Sequence, residues 1–212
     1  MATNYQADLA RAKERLRASG YTDRSAWAAV WEAERRVAEA DGEPWAEALD
    51  LGQRWDTGAP LPHVVSGEQV CVLVCHAAVA DPAWDGTYVN VVSPSDTQPS
   101  PLLVFTFRHF HSITFGGPND EVMNGHPLSG RGLEPYGAHR IHNSPWLAEE
   151  ERINSVHPGH RPEAYRRYRH YFFAFHDQTF EALAPDVQVR AVRSTVSEQL
   201  REAVTQLTAS ES

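Results

Sequence analysis

Hydrophobic residues in the first quarter of the chain recur every three or four positions, which is the spacing of a buried helix face. One stripe ends before Gly20, and a second starts after Thr22 or Asp23 and ends before Gly42. The two stripes consist of Leu9, Ala12, Leu16, Trp27, Val30, Trp31, Val37 and Ala38. A proline suits the first turn of a third helix over residues 44–49. The pattern therefore predicts three N-terminal helices.

Beyond a linker at residues 56–62 (DTGAPLP), the hydrophobic period changes to two, which is typical of half-buried strands. Strands are predicted over residues 69–79, 87–92, 102–115 and 186–192, and a hairpin over residues 169–184. The hairpin turn is expected at Asp177-Gln178. In the longest strand, alternating residues from Leu103 to Phe115 would share one face.

Residues 116–137 are rich in Gly, Pro and Asn and predict a long polar loop, a kind of segment that is often functional. Ser144 has the features of an N-cap, because Pro145 follows it at the first position of a short helix. Ser194 or Thr195 is expected to start an amphipathic helix that runs toward the C-terminus.

These elements predict an α+β fold with a mainly antiparallel β-sheet, an N-terminal helical region and a C-terminal helix. We expect residues 1–55 to form the helical region and to pack on a core domain of residues 56–212. Four of the six tryptophans lie in the first 55 residues, where the helices would either pack on the core or form an interface for a partner or a second copy.

The chain has 212 residues, a net charge of −9 and 42% hydrophobic residues, which indicates a globular protein with an acidic surface. An acidic surface disfavours nucleic acids and anionic membranes as partners. The N-terminus lacks the apolar segment of a signal peptide, and no apolar run could span a bilayer. We therefore expect a soluble cytoplasmic protein. Cys71 and Cys75 share a face of a predicted strand and are expected to be buried free thiols.

Several segments between residues 56 and 192 carry a more specific signal. They read DTGAPLPH, DGTYV, GGPNDEVMNGHPLSGRGLEPY, HNSPWL, INSVHP and HYFFAFHDQTFEALA. Through these segments the chain resembles an uncharacterised bacterial protein family. The resemblance implies a common fold and a common site, and it implies no particular reaction. His109 and His111 lie outside the shared motifs.

Nine of the eleven histidines lie between His109 and His176, and histidine is both the usual acid–base residue at neutral pH and the commonest metal ligand. His109 and His111 are two residues apart in a predicted strand, so their side chains would point the same way. A carboxylate such as Glu121 could complete a metal site with them. The alternative is that neighbouring side chains hold both imidazoles on a half-buried strand.

The predicted polar loop contains a second group of candidate residues. Asn119, Asp120 and Glu121 precede His126 and Arg131. Adjacent carboxylates can bind a cation or a polar ligand, and an arginine can bind a carboxylate or phosphate through two hydrogen bonds. The alternative is a loop whose polar side chains cap its own backbone.

The predicted hairpin contains a third group. His176 and Asp177 lie beside Glu181, among aromatic residues that would change the pKa values of these groups. A histidine next to a carboxylate is a plausible acid–base pair. The alternative is a polar hairpin tip with an Asx turn at Asp177.

We predict a small enzyme that uses histidine and carboxylate acid–base chemistry, with or without a metal, on a small polar substrate. The expected catalytic residues are His126, His176, Asp177 and Glu181, and the expected substrate-binding residues are Asn119, Asp120, Glu121 and Arg131. The alternative is a protein without enzymatic activity that binds a protein partner, such as an immunity-type or accessory protein.

No motif identifies a cofactor, and the ligand spacings do not favour a tightly bound metal. A metal, if bound, would be held either by His109 and His111 or by His126 and His176. Since perturbed titratable groups tend to gather in one cleft, we expect the polar loop to fold over the hairpin, with His126 within ~10 Å of His176.

Overall fold

The computed structural model describes residues 2–79 and 92–209. The helices are α1 (Ala2–Ala18), α2 (Arg24–Asp41), α3 (Pro145–Asn154), α4 (Pro162–Tyr165) and α5 (Val196–Ala209), with a 3-10 helix at Asp120–Gly125. The strands are β1 (Trp45–Ala48), β2 (His63–Ser66), β3 (Val70–His76), β4 (Ser100–Arg108), β5 (Ser112–Gly116), β6 (Ala138–His142), β7 (Arg169–Ala174), β8 (Thr179–Ala184) and β9 (Gln188–Ser194). Residues 87–91 of a predicted strand lie outside the described residues.

The strands form two antiparallel sheets that enclose the main hydrophobic core. The first sheet has the order β1-β6-β7-β8-β5, and the second has the order β2-β3-β4-β9. Alternate residues of both sheets point into the space between them, so aromatic side chains from the two sheets meet. This core includes Trp55, Phe105, Phe107, Tyr171, Phe173, Phe175 and Phe180. Cys71 and Cys75 are buried in the same core as free thiols, as predicted.

The outer faces of the two sheets are covered by different parts of the chain. Helix α5 packs its apolar side on the second sheet, where Val196 and Ala203 contact residues of β3 and β4. The polar segment 116–137 covers the first sheet, because Met123, Leu128 and Leu133 pack on β6 and β7. The observed architecture confirms the predicted α+β fold with mainly antiparallel sheets, N-terminal helices and a C-terminal helix.

Helices α1 and α2 pack on each other around Leu16, Ala26 and Val30. The predicted ends of α2 are confirmed: the carboxylate of Asp23 accepts a hydrogen bond of 2.8 Å from the Ser25 amide, and Gly42 adopts a left-handed conformation beyond the last turn. In the described part of the chain, no helix is long and apolar enough to cross a membrane.

The prediction of a third helix over residues 44–49 is wrong. Trp45–Ala48 form strand β1, which pairs with β6 at the edge of the first sheet. Ala46 pairs with Ile141, which lies far away in the sequence, and is buried there. This long-range pairing outweighs the local helical pattern. The expected division into regions 1–55 and 56–212 stays a prediction.

The prediction of one strand over residues 102–115 is also wrong. The chain leaves the second sheet after β4 and enters the first sheet with β5, and His109 has a positive φ of 53° at the corner. Phe107 before the corner and Ile113 after it both contact the core between the sheets. The two-residue period therefore continues through the corner, although the strand does not.

Candidate functional site

The outer face of the first sheet brings a histidine and a carboxylate together. On β7 and β8, Phe172 lies directly opposite Glu181, and His170 precedes Phe172 by two residues on the same face. Nε2 of His170 donates a hydrogen bond of 2.7 Å to Oε2 of Glu181 across the two strands. The imidazole is buried, whereas 23% of the Glu181 side chain is exposed. Glu181 is therefore the group of this pair that a ligand can reach.

Behind His170 lies the beginning of helix α3. Ser144 is the N-cap of α3, as predicted, and its Oγ accepts a hydrogen bond of 3.1 Å from the Leu147 amide. The same Oγ lies 2.8 Å from Nδ1 of His170. The Trp146 ring packs edge-on against His170, with ring centroids 5.2 Å apart. Both nitrogens of the His170 imidazole thus have hydrogen-bond partners.

His126 approaches the same face from the polar segment 116–137. Its ring contacts Phe172 edge-on at 5.3 Å between centroids, and its Nδ1 accepts a hydrogen bond of 3.1 Å from the Leu128 amide. Burial lowers the pKa of His126; the negative charge of Glu181 counteracts this effect, and a positive charge on His170 adds to it. His126 is therefore neutral near pH 7, with its proton on Nε2.

These five residues, Ser144, Trp146, His170, Glu181 and His126, are called the His170 site below. Two of them, His126 and Glu181, were predicted to be catalytic. The observed register pairs Ala174 with Thr179 and Phe172 with Glu181, two residues away from the register that a two-residue turn at Asp177-Gln178 would give. The predicted turn therefore did not place His170 beside Glu181. From the sequence, Ser144 could be predicted only as the N-cap of a helix.

His176 and Asp177 lie at the turn between β7 and β8, where the predicted hairpin is confirmed. The amide of Asp120 donates a hydrogen bond of 2.9 Å to the carbonyl oxygen of His176, so the polar segment contacts the hairpin as expected. The hydroxyl of Tyr136 donates a hydrogen bond to the Asp120 carboxylate. The separation of His126 and His176 stays a prediction.

His176 and Asp177 form an exposed ion pair, with 2.9 Å between Nδ1 and Oδ1. The hydrogen bond to Asp177 raises the pKa of His176, and the charges of Asp120 and Glu121 add to this effect. Since 80% of the Asp177 side chain is exposed, water screens the pair. This exposed pair is a weaker candidate for acid–base chemistry than the His170 site, whose histidine is buried.

The remaining predicted site residues have partners elsewhere. Arg131 forms an ion pair of 2.8 Å with Glu43, next to the end of α2. Asn119 precedes the 3-10 helix without a capping hydrogen bond from its side chain, and Glu121 is exposed. Within the described part of the chain, the hydrogen bonds of the His170 site involve neither Arg131 nor Asn119.

The predicted metal pair His109 and His111 is not formed as expected, because the corner between β4 and β5 separates the two side chains. Nδ1 of His109 lies 3.2 Å from Oε1 of Gln69, while Nε2 of His111 lies 3.1 Å from Oε2 of Glu150. Among residues 2–79 and 92–209, no group of three or more His, Cys, Asp or Glu side chains could hold a metal ion.

A cavity of about 270 Å³ lies between α1 and α2, and none of these histidines lines it. It is lined by Tyr5, Asp8, Ala12, Ala29, Glu32, Ala33 and Arg36. Its glutamate is neutralised by arginines, and Arg36 binds Glu32 at 2.8 Å. Since these side chains offer no acid–base pair, we place the candidate chemistry at the His170 site.

Comparison of the chain with protein-family models, with curated proteins and with solved structures gave no match. The resemblance to a bacterial family stays a prediction.

Proposed function

We propose that the protein is a cytoplasmic enzyme that transfers protons on a small polar substrate, with Glu181 as the general base. The observation that supports this proposal most strongly is the arrangement around Phe172. A partly exposed carboxylate and a neutral imidazole flank one aromatic ring, and a buried histidine holds the carboxylate from behind. Pairs of titratable groups in different environments are typical of acid–base sites.

The two groups would have complementary roles. Glu181 would accept a proton from a carbon next to a substrate carbonyl group, and the electron pair of that C–H bond would move toward the carbonyl oxygen. The Nε2–H of His126 would donate a hydrogen bond to this oxygen as its negative charge develops. A neutral imidazole suits this role, and burial keeps His126 neutral.

The proposal can be tested without knowledge of the substrate. The protein is incubated in D2O with a panel of small carbonyl and hydroxycarbonyl compounds, and exchange of C–H for C–D is followed by NMR. We expect the wild-type protein to catalyse exchange in at least one compound. Glu181→Gln should slow it by about 100-fold or more, because loss of a general base typically has this effect.

Glu68→Gln is the matched control for this experiment, since Glu68 is exposed between β2 and β3 and lies outside the His170 site. Its exchange rate should equal that of the wild-type protein. Equal rates for wild-type protein and Glu181→Gln, or exchange by neither, would contradict the proposal.

A second candidate function, binding to a protein partner, is favoured by an aromatic row on the N-terminal helices. The ring centroids of Tyr21 and Trp27 are 6.3 Å apart, and those of Trp27 and Trp31 are 5.9 Å apart. Tyr21 and Trp31 are exposed. Exposed aromatic residues are enriched where proteins bind each other. If this function is the correct one, Trp31→Ala should abolish capture of a partner by the immobilised protein, and Glu181→Gln should leave it unchanged.

A further inference from the structure

When the His170 ring is neutral, the hydrogen bonds of the His170 site all run in one direction. A carboxylate can only accept, so Nε2 of His170 carries the proton that it donates to Glu181. Nδ1 of the neutral ring has a free lone pair, to which the hydroxyl of Ser144, 2.8 Å away, can donate. The hydroxyl oxygen accepts in turn from the Leu147 amide. A chain of hydrogen bonds therefore runs from the first turn of α3 to the carboxylate.

We propose that Ser144 and His170 are positioning residues that hold Oε2 of Glu181 and leave Oε1 as the atom that accepts the substrate proton. This inference rests on the proposed function of Glu181 as the base. His170 is buried and Glu181 is only partly exposed, so the imidazole lies on the protein side of the carboxylate.

This series of hydrogen bonds requires more of the Ser144 side chain than capping of helix α3 does. A cap needs only an oxygen that accepts from the first turn, and Asp serves this purpose as well as Ser. The contact with His170 also needs a donor, because the unprotonated Nδ1 of a neutral ring can only accept a hydrogen bond. A residue that caps α3 but cannot donate would therefore leave the helix intact and change the protonation of His170.

This distinction gives a direct test. Ser144→Asp keeps an N-cap but presents an acceptor to Nδ1, whereas Ser144→Thr keeps both the cap and the hydroxyl. Long-range 1H–15N NMR of the histidine rings should show an unprotonated Nδ1 at His170 in wild-type protein and in Ser144→Thr. In Ser144→Asp at the same pH, both nitrogens of His170 should carry protons. Far-UV circular dichroism and the melting temperature of each variant check that α3 and the fold are retained.

Deuterium exchange supplies the functional readout. Because a displacement of about 1 Å can slow a reaction by about 100-fold, Ser144→Asp should lower kcat by up to this factor with little change in KM. Ser144→Thr should stay within a few-fold of the wild-type rate. Loss of activity in both variants would mean that the site tolerates no change at residue 144, and that result would contradict the proposed role of the donated hydrogen bond.

The outcomes separate this inference from the proposed function. Exchange by wild-type protein that is lost in Glu181→Gln but unchanged in Ser144→Asp would support Glu181 as the base and overturn the positioning role. Absence of exchange in wild-type protein would overturn both. A protonated Nδ1 at His170 in the wild-type protein near pH 7 would overturn the assigned direction of the chain, whatever the activity.

Discussion

The carbonyl oxygen of Ala46 approaches Gly132 so closely that a Cβ atom on this glycine would lie 2.1 Å from it. Gly132 also has a positive φ of 94°, which side chains rarely allow. The contact brings the polar segment 116–137 against strand β1, beside the hydrogen bond of 2.8 Å from the Ala46 amide to the Arg131 carbonyl. The position of segment 116–137 on the first sheet depends on this close approach between its backbone and that of β1.

We therefore predict that Gly132→Ala destabilises the protein by about 2 kcal/mol or more, because both backbone strain and a clash with a backbone atom oppose the side chain. Gly125→Ala is the matched control, since a Cβ atom there would meet nothing within 4 Å. Urea denaturation of both variants checks the prediction. Similar free energies of unfolding for the two variants would contradict it.

The titration of His126 should report the two neighbours that the structure assigns to it. The negative charge of Glu181 raises the pKa of His126, and a positive charge on His170 lowers it. Glu181→Gln should therefore lower the pKa of His126 further, while His170→Gln should raise it. NMR titration of the His126 ring measures both shifts. Shifts of the same sign in the two variants would show that the charges of Glu181 and His170 do not act on His126 as described.

Stability should fall in acid because of His139. This imidazole is 1% exposed, and burial lowers its pKa from 6.5 to about 4. The unfolded chain therefore binds a proton at a higher pH than the folded protein does. The stability that neutral His139 provides is complete above pH 6.5 and is lost as the pH falls toward 4, by about 3 kcal/mol in total.

His139→Gln isolates this contribution from those of other titrating groups, and a glutamine oxygen can still accept the hydrogen bond that the Glu134 amide donates to His139. Urea denaturation at several pH values between 7 and 4 should give a smaller loss of stability for the variant than for the wild-type protein. Parallel pH dependences would show that His139 does not titrate as described.

His109 and His111 should act independently. His111 contacts Glu150 and packs against Tyr165, so His111→Ala should destabilise the protein by about 1 kcal/mol. His109 is exposed and lies in the left-handed region, which asparagine tolerates, so His109→Asn should change the stability by less than about 0.5 kcal/mol.

The double variant provides the decisive comparison for this pair. Without a shared partner, the effects of the two substitutions on the free energy of unfolding should add within about 0.5 kcal/mol. A larger coupling energy, or a dependence of that coupling on added zinc, would support the shared metal site that the sequence suggested.

The ends of several elements could be predicted because the signals lie within a few residues of each other. Asp23 caps α2, Ser144 caps α3, and Thr195 exchanges hydrogen bonds of 3.1 Å with Glu198 at the start of α5. The hairpin turn belongs to the same class, although it spans residues 175–178, where the Phe175 amide donates to the Gln178 carbonyl oxygen, and is not confined to Asp177-Gln178. In each case one short stretch of chain contains both the donor and the acceptor.

The candidate site could be predicted only in part. The polar segment and the hairpin were recognised, and His126 and Glu181 do share the outer face of the first sheet. The partner of Glu181 could not be predicted, because His176 and Asp177 are nearer to Glu181 along the chain than His170 is. The strand register instead places Glu181 beside His170, on the other strand of the hairpin.

The sequence by itself determined the α+β class, the alternation of buried residues and the local caps, because side-chain spacing and short-range hydrogen bonds specify them. Only the tertiary structure decided that Trp45–Ala48 form a strand, that the chain changes sheets at His109, and that Ser144 meets His170. These features depend on pairing between residues far apart in the chain. Such pairing is stabilised by burial of side chains in the assembled sheets. A local sequence pattern does not show which distant residues will bury them.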